Sequence, residues 1–291
     1  MHLDPTSRFR RFARAVVTEV GALDQSFLGR GRPLGVARVL NAIGHGKCDV
    51  GEIRAYLDLD SGLVSRLLRG LEEEGLVATT PHPGDGRRRV VALTPAGEAE
   101  FAAYEALSNQ RAERALARHA NPDALLAAMD LVASAFGRDQ IELREMDPRS
   151  AVARHCLGEY YAELGRRFDR GFDVTLSADP DAETMVRPRG AFLVAFSDDM
   201  PVGCVGLKGT CPEYAEVKRL WVAPSARGLG LAWKIMDRVE ALARELGIPL
   251  LRLDTNKALP EAIAMYRKSG WTEIDRFNDD PYPDFFFEKR L

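Results

Sequence analysis

"VKRLWVAPSARGLGLAWKIMDRVEALARELG", Val217 to Gly247, decides how the second half of this 291-residue chain is read. It opens as a strand, passes through a loop carrying Gly228 and Gly230, and continues as a long amphipathic helix. A glycine-bearing loop at a helix start is suited to a phosphate, because backbone amides and the helix dipole both face it. Three phosphate loops have this outline. A Walker A loop needs GxxxxGK(S/T), and no such run occurs. A dinucleotide fingerprint needs a third glycine where Trp233 stands, and an indole there blocks the close helix–strand packing that glycine permits. The pattern that remains is R-x-x-G-x-A, with Arg227, Gly230 and Ala232. Gly228 and Gly230 let the backbone approach a ligand without a Cβ in the way. The amides of Gly228, Leu229, Gly230, Leu231 and Ala232 then point outward at the helix start.

Around this stretch the order is strand (141–146), helix (149–168), a strand pair in "GAFLVAFSDDMPVGCVGLKG" and strand (215–222). The helix of 230–246, a strand in "PLLRLDTN", a helix in "LPEAIAMYRKSG" and two last strands, "WTEIDRF" and "FFFEKRL", complete an α/β domain over 139–291. With "AEVKRLWVAP" before the loop and "EAIAMYRKSGW" after it, residues 141–291 resemble the GNAT superfamily of N-acetyltransferases. The resemblance implies a mixed central sheet in which two parallel strands, Ala215–Val222 and Leu250–Thr255, splay apart to admit acetyl-CoA as cosubstrate. It implies that residues 227–232 hold the diphosphate and that backbone groups of Leu220 and Val222 bond the pantetheine arm. The Leu220 amide would polarise the thioester carbonyl, where a developing oxyanion needs a fixed N–H. "EVKRLWV" does not alternate cleanly, which fits the bulge that family members carry in this strand.

The acceptor amine must lose a proton before it attacks, since an alkylammonium has a pKa of about 10 and an α-ammonium about 8. Glu216 occupies the position where many histone-type members keep a general base; its other readings are an ion pair to Lys218 or Arg219, or substrate binding. Tyr266 matches the tyrosine that protonates the leaving thiolate, and could equally be a core aromatic. Leu259 departs from the family, which most often has asparagine seven residues before that tyrosine. Asn256 is three residues early and reads as the residue that ends the strand and caps the turn. For the acceptor, Arg252 and Asp254 share a strand face, Lys218 and Arg219 are near Glu216, and "NDDPYPDFFFEKRL" supplies Tyr282. Both charge signs suit a small amine or amino acid, and a peptide lysine is equally allowed.

The first half is built differently. Phe9, Phe12, Val16, Val20, Leu23 and Phe27 form a helical stripe, and "GVARVLNAIG" and "DVGEIRAYLDLD" give two further helices. "DSGLVSRLLRGLEEEGLV" is a helix capped by Asp60, with Leu63, Leu67, Leu68 and Leu71 as its inner stripe. Ser61, Ser65, Arg66 and Arg69 fall on the other side. Strand-like runs over 76–80 and 88–93 flank "PGDGR", a hairpin with Arg87 at its tip. Two more helices follow. "LGVARVLNAI", "LDLDSGLVSRLLRGLEEEGLV" and "DGRRRVVALTPAGEAE" carry a resemblance of residues 8–137 to the MarR family of transcription regulators. It implies a winged helix-turn-helix, a homodimer paired through its first and last helices, and double-stranded DNA with a palindromic operator. Ser61, Ser65, Arg66 and Arg69 would reach the major groove and Arg87 a minor groove. Of Arg88 and Arg89, strand alternation offers at most one to DNA.

Two domains are therefore expected, a mostly helical winged helix over 1–138 and an α/β domain over 139–291. Residues 1–140 hold 18 basic and 18 acidic side chains, so bulk charge is no argument for DNA; the placement of the arginines is. No apolar run reaches the roughly 18–20 residues of a membrane span and no signal core follows the start, so a cytoplasmic protein is expected. Cys48, Cys156, Cys204 and Cys211 have no CxxC spacing, and neither a metal site nor a disulfide frame is expected. The expected function is that of a DNA-binding regulator that also acetylates an amine. The competing reading is a regulator whose second domain only senses acetyl-CoA or another small ligand.

Overall fold

The computed structural model describes residues 4–169, 171–176, 182, 184–209, 211 and 213–291, the side chains at 86 and 87 excepted. The chain forms two compact units, Met1–Pro122 and Asp123–Leu291.

In the first unit α1 (Pro5–Glu19), α2 (Leu34–Gly44), α3 (Val50–Leu57) and α4 (Ser61–Glu73) precede an antiparallel hairpin of β1 (Val77–His82) and β2 (Asp85–Leu93), then α5 (Pro95–Ala117). The Phe9–Phe27 stripe is helical only as far as Glu19, because Gly21 turns into the left-handed region at φ 66°. Phe27 stacks instead on Tyr104 of α5. Asp60 caps α4 by accepting from the Leu63 amide at 2.9 Å. The buried line of α4 is Val64, Leu68 and Leu71, with Leu63 and Leu67 only half-buried. The steps of four and three from Val64 point more directly at the core than the all-leucine stripe does. The hairpin strands run longer than the sequence suggests, leaving Pro83 and Gly84 as the turn. Thr94 starts α5 by accepting from the Gly97 amide at 3.1 Å. A Cβ on Gly97 would lie 1.9 Å from the Leu76 carbonyl oxygen, so only glycine lets α5 approach the hairpin this closely.

The second unit contains α6 (Pro122–Phe136) past its first residue, then β3 (Glu142–Met146) and α7 (Ala151–Arg167). The hairpin β4 (Ala191–Ser197) and β5 (Met200–Lys208) follows, then β6 (Ala215–Val222), α8 (Leu231–Glu245), β7 (Leu250–Thr255), α9 (Pro260–Lys268), β8 (Thr272–Ile274) and β9 (Phe285–Arg290). The boundary at 122/123 falls after the first residue of α6, whereas the sequence reading put the join at 138/139.

The seven strands lie in the order β3-β4-β5-β6-β7-β9-β8, and only β6 and β7 are parallel neighbours. They pair only at Ala215↔Leu251 and Glu216↔Arg252, then part. A bulge drives the parting. Trp221 pairs with Cys204 and Lys218 with Gly206, so Arg219 and Leu220 together stand opposite Val205. Arg219 takes φ 58°, a conformation unusual for a residue with a Cβ. A bulge bends its strand and increases its twist. Beyond it β6 stays with β5 while β7 stays with β9, and the sheet opens as a wedge between them.

Candidate active site

The wedge leads into a cavity of about 610 Å³ lined by the end of β6, the following loop, the start of α8 and one face of α7. Gly228 and Gly230 stand at φ 76° and 79°, with nothing within 4 Å of a Cβ built on either. The structure thus attributes their need for glycine to backbone conformation rather than to crowding by protein. Gly230 occupies the N-cap of α8 and offers no capping side chain, so the first amides of the helix have no partner within it. Leu231 buries its side chain while its amide belongs to that free turn, and Ala232 and Trp233 line the cavity. Leu229 is half-buried in the loop. The unpaired amides, left-handed glycines and dipole make a site fit for a diphosphate.

Arg227 is fastened rather than loose. Its guanidinium pairs with Glu163 of α7, and its Nε donates to the Val222 carbonyl at 3.0 Å. Glu163 also accepts from Arg167, which pairs with Glu261, so two arginines and two glutamates rim the cavity. The Ala223 amide donates to Val202 of β5 at 2.9 Å. Alternation along the strand therefore turns the peptide groups of Val222 and Leu220 the other way, into the wedge.

A second, smaller cavity of about 90 Å³ adjoins the first, and Tyr160, Leu164, Leu220, Leu259 and Ala262 line both. Leu259, the departure from the expected asparagine, therefore stands where the cavities meet. Tyr266 faces the smaller cavity; its ring packs on Trp271 and Phe287, and its hydroxyl has no hydrogen-bond partner among the described residues. Burial, and then the charge of Asp254, raise its phenol above the ordinary value, which keeps it protonated.

In the lining of the same cavity the Lys218 ammonium lies 2.5 Å from Asp254 and 3.3 Å from Glu216. Burial alone would lower its pKa, but the attraction of Asp254 and Glu216 prevails and raises it. Asp254 also accepts from Asn278 at 2.6 Å. Glu216 is 5% exposed and lies outside the lining of the smaller cavity. For this residue the geometry favours the ion-pair alternative. Arg219 is buried and donates from Nε to the Tyr161 hydroxyl at 2.7 Å. Arg252 points elsewhere, to Glu288 at 3.3 Å and over the Tyr214 ring. Asn256 caps the turn by accepting from Ala258 at 2.8 Å. Tyr282 does line the cavity, beside residues the sequence reading missed: Tyr160, Tyr161, Phe168, Phe172 and Asp280. Phe168 and Phe172 gave a faint signal, two aromatics just past a helix end; Asp280 gave none apart from its place in "NDDPYP".

In the first unit Ser61, Ser65, Arg66 and Arg69 are all exposed on α4, and the Ser65 hydroxyl donates back to the Ser61 carbonyl at 2.8 Å. The Arg87 side chain lies outside the described residues. Arg88 pairs with Asp49 at 2.9 Å and Arg89 lies 3.8 Å from Glu72, so both already have acidic partners. Among the described residues no group of His, Cys, Asp or Glu could hold a metal, and no helix is long and apolar enough to cross a membrane.

Comparison with known proteins matches residues 157–271 to the Acetyltransferase (GNAT) family and residues 30–88 to the MarR family. The chain is 38% identical over 154 residues to an IAA acetyltransferase of Azospirillum brasilense, covering 50% of this chain and 99% of that protein. It is 33% identical over 132 residues to the uncharacterized N-acetyltransferase YjgM of Escherichia coli K12, covering 43% of this chain and 77% of that one. Among solved structures, an acetyltransferase of the GNAT family from Staphylococcus aureus Mu50 aligns with 20% identity and a TM-score of 0.47, covering 52% of this chain and 99% of that one.

Proposed function

We propose, since this chain belongs to the GNAT acetyltransferase family and carries a MarR-family region ahead of it, that one polypeptide both binds DNA and acetylates an amine. The chain is an acyltransferase, and its acyl donor on this reading is acetyl-CoA. The observation that carries the reading is the wedge between β6 and β7, which opens onto the free amides at the start of α8. Residues 227–232 would hold the diphosphate, with the guanidinium of Arg227 kept at the rim by Glu163. The inward-facing peptide groups of Leu220 and Val222 would bond the pantetheine arm. Acetyl-CoA supplies an activated acetyl group, and the chain supplies position and protons. The Leu220 amide would polarise the carbonyl, worth several kcal/mol when such a donor is fixed in advance. Tyr266 would protonate the departing sulfur. Glu216 would hold Lys218 in place.

The acceptor in this proposal is a small amine or amino acid, in keeping with a cavity far below the roughly 300–1,000 Å³ of drug-sized sites. For the first unit the proposal is a homodimer on a palindromic operator, in a cytoplasmic protein. Exposed Phe12 and Val16 on α1 support pairing through the first helix, and α6, which belongs to the second unit, separately exposes Leu126, Met129 and Leu131 for the last-helix contact. Ser61, Ser65, Arg66 and Arg69 would read the major groove and Arg87 a minor groove. A thiol-release assay over a panel of amines, together with a gel shift on the full chain, tests both halves. Turnover on a small amine and a shifted operator fragment are expected. Release that appears only with protein lysines, or no affinity for any duplex, would overturn the corresponding half.

A further inference from the structure

Three carboxyl groups lie in or beside the acceptor cavity, and two are already engaged. Glu216 pairs with Lys218 and lies outside the acceptor cavity. Asp254 lines the cavity but takes the Lys218 ammonium and the Asn278 amide. Asp280, in the loop between β8 and β9, is different. It lines the cavity together with Tyr266, and among the described residues its side chain accepts only the Tyr282 amide, at 3.2 Å. Arg276 of the same loop donates to its backbone carbonyl, not to its carboxylate.

The wall beside Asp280 is aromatic. The Tyr282 hydroxyl is pinned between the amide and carbonyl of Asp173, at 2.9 and 3.3 Å. The Phe172 ring lies 4.7 Å from that of Tyr282, and the Phe168 ring 5.9 Å. All three rings are half-buried and face the cavity. An acid beside aromatic faces attracts an ammonium on an apolar stem.

We propose that Asp280 seats the ammonium of the acceptor and takes its proton, and that the acceptor is a small free primary amine whose apolar body lies against Phe168, Phe172 and Tyr282. This deepens, and rests on, the acetyltransferase reading. The protons and electrons balance. The ammonium gives one proton to Asp280, and the freed lone pair forms the nitrogen–carbon bond to the acetyl carbon. The carbon–sulfur bond breaks, its electron pair stays on sulfur, and the sulfur takes the Tyr266 proton. The second nitrogen proton replaces the one Tyr266 lost. Asp280 then releases its proton to solvent, so the sum is an amide, a thiol and one proton.

The surroundings favour this role. Burial is the largest influence on Asp280 and raises its pKa; the Tyr282 amide opposes, and the like charge of Asp254 adds to burial. From β6 Lys218 lowers it while Glu216 raises it. Arg219 on the same strand, Tyr160 and Tyr161 on α7, and Tyr266 on α9 complete the ionisable lining. A carboxyl moved up toward neutrality is a better match for proton transfer from an ammonium.

The test uses the full chain with 2-phenylethylamine as acceptor and kcat/KM followed from pH 6 to 10.5. Asp280→Asn is expected to lose about 100-fold at pH 7.5. Its rate should then climb about tenfold per pH unit toward the amine pKa of about 10, because free base must now come from solvent. Asp280→Glu should recover part of the rate. Unchanged acetyl-CoA affinity and melting temperature show that the variants are folded. A wild-type rate and pH profile in Asp280→Asn overturns the proposal, as does faster acetylation of a lysine peptide than of the free amine. Should no amine release thiol, the acetyltransferase reading fails by itself. Calorimetric titration of 2-phenylethylamine into the CoA-loaded protein then decides the seat: a tenfold weaker affinity in Asp280→Asn sustains it. No binding to wild type, or equal binding to both, overturns it.

Discussion

Replacing Tyr266 with phenylalanine separates the two readings of that residue. The ring packs at 6.0 Å from Trp271 and 5.7 Å from Phe287, and phenylalanine keeps both contacts. The hydroxyl has no protein partner among the described residues, so its removal orphans no buried donor or acceptor. The stability change should therefore stay within about 0.5 kcal/mol, the range of a substitution that breaks no packing or pairing. Chemistry should suffer much more. Loss of a positioned general acid costs about 10²–10⁴ in rate, or roughly 2.7–5.4 kcal/mol at 1.36 kcal/mol per decade. Single-turnover acetyl transfer is the right assay, since slow product release would hide part of the loss in kcat. The pH profile adds a second signature. Burial, followed by the charge of Asp254, holds the phenol above its ordinary value, so it remains an acid beyond pH of about 10. The wild-type chemical step should show no descending limb from this group below that point. A Tyr266→Phe enzyme with an unchanged single-turnover rate would refute the argument and leave Tyr266 as a core aromatic.

Three further outcomes are expected. Lys218→Met keeps the bulk of the side chain but leaves Asp254 and Glu216 buried together, and urea unfolding should show a loss of about 3–5 kcal/mol. The folded pKa of Lys218 lies above its unfolded value, so this difference should be fully present below pH of about 10.4 and shrink as pH rises through the folded value. Gly97→Ala drives a methyl into the Leu76 carbonyl; calorimetry should show a selectively destabilised first unit, by about 1–3 kcal/mol, with acetyl transfer intact. Arg66→Ala should weaken operator binding by about 1–3 kcal/mol in a gel shift, and unchanged affinity would count against α4 as the reading helix.

Much of this protein was legible in its sequence because the deciding signals are local. Arg227, Gly228, Gly230 and Trp233 constrain one loop whatever surrounds it, and left-handed glycines at a helix start are a backbone requirement written in residue type. The capping of α4 by Asp60 and of α5 by Thr94 is equally local. Even the bulge in β6 left a trace, in the failure of "EVKRLWV" to alternate. The acceptor cavity was not legible. Its wall joins Tyr160 of α7 to Asp254 of β7, Tyr266 of α9 and Asp280 of a late loop, positions that only the sheet order and the wedge bring together. Which carboxylate is engaged and which is available was likewise decided in three dimensions. Glu216 and Lys218 are two apart in sequence, but Asp254 reaches the same ammonium from the neighbouring strand, and together they leave Asp280 facing the cavity. The sequence by itself determined the loop, the caps and the order of elements, because each rests on backbone conformation or short-range hydrogen bonding. Tertiary structure alone decided the charge partners and the cavity lining, because electrostatic pairing and desolvation depend on distance through space.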